Sequence, residues 1–74
     1  MKIPNELLFQ LQATFDKADI EDDWNLLSRG QKIKEIDWCI ERCYMDYEDN
    51  PERRVYLRSQ IKQLEKLKDE LKGE

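Results

Sequence analysis

Along the second half of the chain, apolar residues return at the three- and four-residue steps of an α-helix. Ile33, Ile36, Ile40, Cys43, Tyr44 and Tyr47 form one stripe. At about 100° per residue they fall within a band of roughly 100°, the width of one core-facing side. Leu57, Ile61, Leu64, Leu67 and Leu71 form a second stripe. Between them lies Asp49-Asn50-Pro51. The residue before a proline is pushed out of the α region, while Pro51 suits the first position of a new helix with Asn50 as its cap. The pattern therefore predicts an antiparallel helical hairpin of about residues 31–48 and 51–72, stopping at Gly73. Folded across that joint, Tyr44 comes level with Leu57, Ile40 with Ile61, Ile36 with Leu64, and Ile33 with Leu67. A slipped register breaks several of these pairs together.

A third stripe precedes them. Ile3, Leu7, Leu11, Phe15 and Ala18, widened by Leu8, predict a helix over about residues 5–18, with Asn5 as N-cap and Glu6 in the first turn, where the helix dipole favours a carboxylate. The acidic run Asp19–Asp23 is expected to be a bend. Trp24–Ser28 is expected to be a short helical turn capped by Asp22 or Asp23, and Gly30 either a C-cap turn or a kink. Two helices zipped along one seam bury too little to offset the ordering of their chain. The first helix, or a second copy, must cover the open side. The expected architecture is an all-α, three-helix bundle: a single small domain over 1–74 in which the N-terminal helix packs across the hairpin.

Composition narrows this picture. A chain of 74 residues buries only about 60% of its unfolded surface, and chains of that size usually gain support from disulfides, metals or self-association. With two cysteines and no histidine, a disulfide scaffold or a zinc module is a poor fit. Self-association remains, and a homodimer is the expectation. Met1-Lys2-Ile3-Pro4 does not open a secretory signal, and no apolar stretch approaches the ~20 residues of a membrane span. A reducing, cytoplasmic setting follows. Net charge is −4, with −6 on residues 1–50 (6 basic against 12 acidic) and +2 on residues 51–74 (7 against 5). Nucleic-acid affinity needs a concentrated positive surface, so nucleic acid is an unfavoured partner.

Apolar residues off the stripes carry the functional signal. Phe9 lies nearly opposite Leu7 and Leu11. Trp38 and Met45 sit seven apart on the far side of the middle helix, with Leu27 on the same line if that helix extends backwards. Val55 stands off the last stripe. A second core face is the plain reading of Trp38 and Met45; the alternative is an anchor at a protein interface, where Trp and Met are enriched. For Phe9 the interface is favoured. The last helix also carries Arg54, Arg58, Lys62 and Lys66 at four-residue steps. Like charges so spaced repel, and Arg53 and Arg54 lie in the first turn, where cations oppose the dipole. An acidic mate is therefore expected, from Asp46, Glu48 and Asp49, from Asp19–Asp23, or from a partner. A solvated face is the plainer reading. Leu57, Ile61, Leu64 and Leu71 resemble a coiled-coil seam, but Lys68 takes the next seam position and intramolecular packing explains the repeat more simply.

Catalytic and ligand-binding chemistry finds little support. Cys39 and Cys43 are one turn apart, yet no histidine completes a metal site; they read as structural thiols, with an intermolecular disulfide as the alternative. The acidic runs lack the alternating ligands and central glycine of a calcium loop. Ser28 and Ser59 have no histidine to activate them, and glycines at Gly30 and Gly73 alone build no phosphate loop. A helix-turn-helix through Gly30 would read DNA with Lys32, Lys34 and Arg42, but Glu35, Asp37 and Glu41 cancel them. The chain is thus expected to be no enzyme, to hold no cofactor or metal, and to modulate or inhibit a larger protein by masking its surface. Partner-binding candidates are Phe9, Trp38, Met45, Arg54, Arg58 and Lys62. Chains this small, acidic and compact are common among phage and mobile-element inhibitors of host enzymes. The alternatives are a small nucleic-acid-binding regulator using the Arg54–Lys66 stripe, or a structural protein whose function is its oligomer.

Overall fold

A computed structural model describes residues 3–14 and 20–73. Among these residues four α-helices run in order: α1 (Asn5–Thr14), α2 (Ile20–Leu26), α3 (Arg29–Asp49) and α4 (Arg54–Gly73), with a 3-10 turn at Pro51–Arg53 leading into the last. Helices α3 and α4 form the antiparallel hairpin, and α1 packs across it. The all-α bundle predicted from the apolar pattern is the observed fold. Phe15, Ala18 and Asp19 lie outside the described residues.

The hairpin forms because each helix offers one side that water disfavours. From α4, Leu57, Ile61, Leu64, Leu67 and Leu71 are all buried. From α3, Ile36, Cys39 and Cys43 are buried, while Ile33, Ile40 and Tyr47 pack partly buried beside them. Tyr44, expected opposite Leu57, is 50% exposed. Cys39 takes its place because it lies three residues from Ile36 and four from Cys43, nearer the centre of the buried side. The ion pair between Lys68 and Asp37 and the contact of Arg54 with Tyr47 lie within a turn of the predicted register. Lys68 avoids the seam because a 3.6-residue helix drifts from a strict heptad, so Leu67 turns inward instead.

The turn is built differently from the expectation. Asn50 takes the N-cap position of the 3-10 turn, not of α4, and its side chain makes no cap bond there. Its backbone N–H donates to Asp46 O at 2.8 Å, its side-chain amide donates to the Asp46 carboxylate, and its carbonyl accepts from Arg53 N at 3.0 Å. Pro51 does open the next element, but as the first residue of the 3-10 turn, so α4 proper begins at Arg54.

At the front of the chain, Leu7 and Leu11 are fully buried and Ile3 and Leu8 partly so. Asn5 is not the N-cap. Leu8 N donates to Pro4 O at 2.9 Å, so the helix starts from Pro4. One of its orphan donors is satisfied from α4, where Glu6 N donates to Gln60 Oε1 at 3.2 Å. Gln60 is the only buried polar residue among those described, and a buried amide group needs such a partner.

From Ile20 onward the acidic run is helix rather than bend. Helix α2 begins at Ile20, and Asp22 and Asp23 lie inside it instead of capping Trp24. Ile20 and Trp24, four apart, are both buried and bring this short helix onto the core. It is separate from α3, which opens on a capping box: Ser28 Oγ accepts from Gln31 N at 3.2 Å and Gln31 Oε1 accepts from Ser28 N at 3.0 Å. Gly30 therefore lies in the first turn of α3, neither cap nor kink, and has no positive φ. The Cα atoms span 35 × 29 × 17 Å. A thickness of 17 Å holds only two layers of helices spaced 8–10 Å apart, so α3 keeps one side toward solvent.

Candidate protein interface

That open side of α3 holds the residues that escaped the stripes. Trp38 is 56% exposed, Met45 65%, and Phe9 on α1 75%. The second-core-face expectation for Trp38 and Met45 is thereby overturned within the chain. Trp24, Leu7 and Leu11 are buried in one cluster with the α3 and α4 seam, and Trp38 and Met45 are not part of it. Trp38 and Met45 are two turns apart and project in the same direction. Phe9 faces them from α1 across an open groove of about 980 Å³. The fold thus assembles three apolar side chains from two helices into one surface. Single exposed apolar residues are ordinary, whereas a gathered set marks a contact surface.

The groove floor contains the thiols of Cys39 and Cys43, both free and both buried. They act on each other. A hydrogen bond with Cys39 lowers the pKa of Cys43 below the ordinary thiol value, against the effect of burial. The same hydrogen bond, then burial, pushes Cys39 well above it. One thiolate accepting a hydrogen bond from its neighbour's S–H is stable there; two adjacent buried thiolates are not.

Arg53 braces the end of the groove. Its guanidinium donates to Glu6 Oε1 at 3.0 Å and to the carboxylate of Asp46, so a single side chain ties α1, α3 and the turn together. The acidic mate expected for the basic stripe is found here, but by Arg53, which is not a member of the stripe.

The stripe itself is divided. Arg54 Nε donates to Tyr47 O at 3.0 Å, with its guanidinium 5.1 Å from the Tyr47 ring centre. Arg58 Nη2 donates to Tyr47 Oη at 2.9 Å. Both arginines therefore fold back onto α3. Lys62 lies elsewhere, beside a shallow hollow shared with Glu65, Lys66, Asp69 and Glu70. Of the six candidates, the fold brings together Phe9, Trp38 and Met45 and leaves Arg54, Arg58 and Lys62 apart from them. Val55, 87% exposed, also stands outside the groove.

Gln60 escaped the sequence reading, although its spacing of three and four residues from Leu57 and Leu64 was sufficient signal to place it inward. Arg53 was expected, with Arg54, to need an acidic mate in the first turn, and Asp46 is that mate; its second bond, to Glu6, depends on α1 reaching the turn. Among the described residues there is no cluster of three or more acidic, cysteine or histidine side chains able to hold a metal ion, and no helix is long and apolar enough to cross a membrane. No family model, curated protein or solved structure matches the chain.

Proposed function

We propose that this chain is a non-enzymatic protein-binding module that modulates or inhibits a larger protein by covering part of its surface, with the groove between α1 and α3 as the contact. The observation that carries this reading is the convergence of Phe9, Trp38 and Met45, from two helices, onto one exposed surface. Large aromatic and Met side chains in such a position lose more water on association than any other surface residues, and interface energy concentrates in them. The rigid hairpin beneath holds them in place, so little ordering is required on binding. The chemistry of the groove supports the non-enzymatic part: its floor is two thiols without a histidine, and its rim is carboxylates and cations open to water.

The nucleic-acid alternative draws no support from the basic stripe, since Arg54 and Arg58 are turned onto Tyr47 and Lys62 and Lys66 share their surface with three carboxylates. A cytoplasmic setting is part of the proposal and accords with two free cysteines. The test is capture of partners from the native cell by the full chain, side by side with the Trp38→Ala, Met45→Ala double variant. A protein retained by the first and lost by the second, at unchanged helix content by circular dichroism, supports the reading. Equal retention by both overturns it.

A further inference from the structure

The outward face of α3 carries a pattern that is its own complement. Of the α3 residues that line the groove, Lys34, Trp38, Glu41, Arg42, Met45 and Asp49 share the side turned away from the core, while Cys39 and Cys43 form the floor and Glu35 and Asp46 lie on the flank toward α1. When a second identical helix is laid antiparallel and centred between Glu41 and Arg42, Trp38 meets Met45 of the second copy. Lys34 meets Asp49 of the second copy, and Glu41 and Arg42 straddle the two-fold axis beside their opposites. Each of these contacts occurs twice, as an isologous interface requires. We propose that this face is the seat of an antiparallel homodimer, α3 against α3, which occupies the same surface a larger partner would use. The proposal rests on the reading of that face as an interface and adds what covers it.

Helix geometry allows the match. At about 100° per residue, Trp38 and Met45 differ by about 20° around the axis, and Lys34 and Asp49 by about 60°, so these four share one side. Glu35 and Glu48, which the same count would pair, are about 140° apart and fall on opposite flanks. The charged members are also available. Among the described residues the ion pairs within the chain engage Arg53, Glu6, Asp46, Lys68 and Asp37, and none engages Lys34, Glu41, Arg42 or Asp49. Asp46, the other carboxylate near Met45, is neutralised by Arg53 and so does not oppose the pairing. A two-fold axis perpendicular to α3 puts both α1 helices on one side of it, where Phe9 of each copy closes the flank. From Lys34 to Asp49 the helix rises about 22 Å. An interface of that length with three apolar anchors stands at the small end of stable contacts, which places its dissociation in about the micromolar range.

Sedimentation equilibrium of the full chain, over a concentration series reaching the millimolar range, reads this out. The unsubstituted chain should pass from monomer to dimer. Lys34→Asp alone sets aspartate against Asp49 of the second copy, twice, and should weaken the dimer about tenfold. Asp49→Lys alone should do the same. The two together restore opposite charges and should bring the constant back to within about twofold of the original. Trp38→Ala should abolish the dimer with circular dichroism unchanged. A monomer at every concentration, or a double variant no better than its singles, overturns the proposal. The two readings fail separately. A monomeric chain that still captures a larger protein through Trp38 removes only the dimer. A dimer that obeys the charge swap, in a chain whose capture ignores Trp38, removes only the larger partner.

Discussion

Helices α3 and α4 are nearly the same length, 21 and 20 residues, yet they allot their apolar residues in opposite ways. Every Leu and Ile of α4 is buried on one stripe, and its remaining surface is charged or polar apart from Val55 and Tyr56. Helix α3 divides its apolar residues, with Ile36, Cys39 and Cys43 turned to the core and Trp38, Tyr44 and Met45 to water. The core needs only one side of a helix in a structure two layers thick. One stripe is all that the core asks of a helix, and the second apolar side of α3 is surplus to it; the proposed interface rests on that surplus. What sets them apart is which large side chains remain exposed after folding has buried all it can.

Deleting a side chain from the α4 stripe should bring the largest change. Leu64 is fully buried at the middle of the seam, and truncation there leaves a cavity in a core with few neighbours to collapse into it. Leu64→Ala should cost about 2–5 kcal/mol. For a domain this small that approaches its whole stability. Thermal melting followed by circular dichroism should show a loss of the cooperative transition or a fall of many degrees in Tm. A variant that melts like the unsubstituted chain would mean that α3 and α4 are not held by that seam.

Gln60 sharpens the contrast, since it is the one polar residue among the described ones that the α4 seam encloses. Its amide oxygen satisfies the Glu6 N–H at the start of α1. Gln60→Leu keeps the bulk but orphans that donor, and should cost about 1–3 kcal/mol. The loss should fall on α1 first, so amide hydrogen exchange at Glu6 and Leu7 should speed up before that of Leu64 does. Uniform acceleration throughout the chain would instead make α1 part of one cooperative unit with the hairpin.

The thiol pair tests the boundary between the two sides of α3, where the core ends and the groove begins. Cys43 is held low by its hydrogen bond with Cys39, and Cys39 is held high by that bond and by burial. Titration followed by the cysteine Cβ chemical shifts should therefore show Cys43 ionising below the ordinary thiol range and Cys39 still protonated well above it. The consequences for stability have opposite signs. The stabilisation due to Cys43 is present above the unfolded thiol value and is lost as pH falls through its lowered one. That due to Cys39 is complete below the unfolded value and is lost as pH rises toward its raised one. In Cys43→Ser, the thiolate neighbour is gone and Cys39 should move down toward the ordinary range. Two ordinary, independent titrations in the unsubstituted chain would show that the sulfurs do not touch.

How far each part was legible follows from the range of the interactions that build it. The hairpin is local: two periodic stripes and a proline joint specify it, and all five predicted α4 core positions are buried. The errors came where a distant element decides. Asn5 lost the capping role because Gln60, more than fifty residues away, performs it. Asp19–Asp23 read as a bend because four acids suggest solvent, while the burial of Ile20 and Trp24 on the core outweighs that preference and makes helix of the described part. Tyr44 and Cys39 exchanged places because a stripe read at 100° steps cannot weigh a bulky hydroxyl-bearing ring against a small thiol at its edge. In the candidate site, spacing along α3 was enough to align Trp38 with Met45. That Phe9 joins them depends on where α1 crosses, and no spacing within one helix reports it.

The smallest expected effect on stability is also the most discriminating. Trp38 and Met45 are more than half exposed, and truncating surface residues usually moves stability by no more than about 0.5 kcal/mol. Trp38→Ala with Met45→Ala should therefore melt within a degree or two of the unsubstituted chain, in sharp contrast to Leu64→Ala. A clear loss, measured on the chain diluted until it is monomeric, would move both residues into the fold's own packing and give α3 the single task that α4 has. If stability holds while association with a second copy or a larger partner disappears, the outward side of α3 is an apolar surface that the fold exposes and does not need for itself. Binding is then what those two side chains are for.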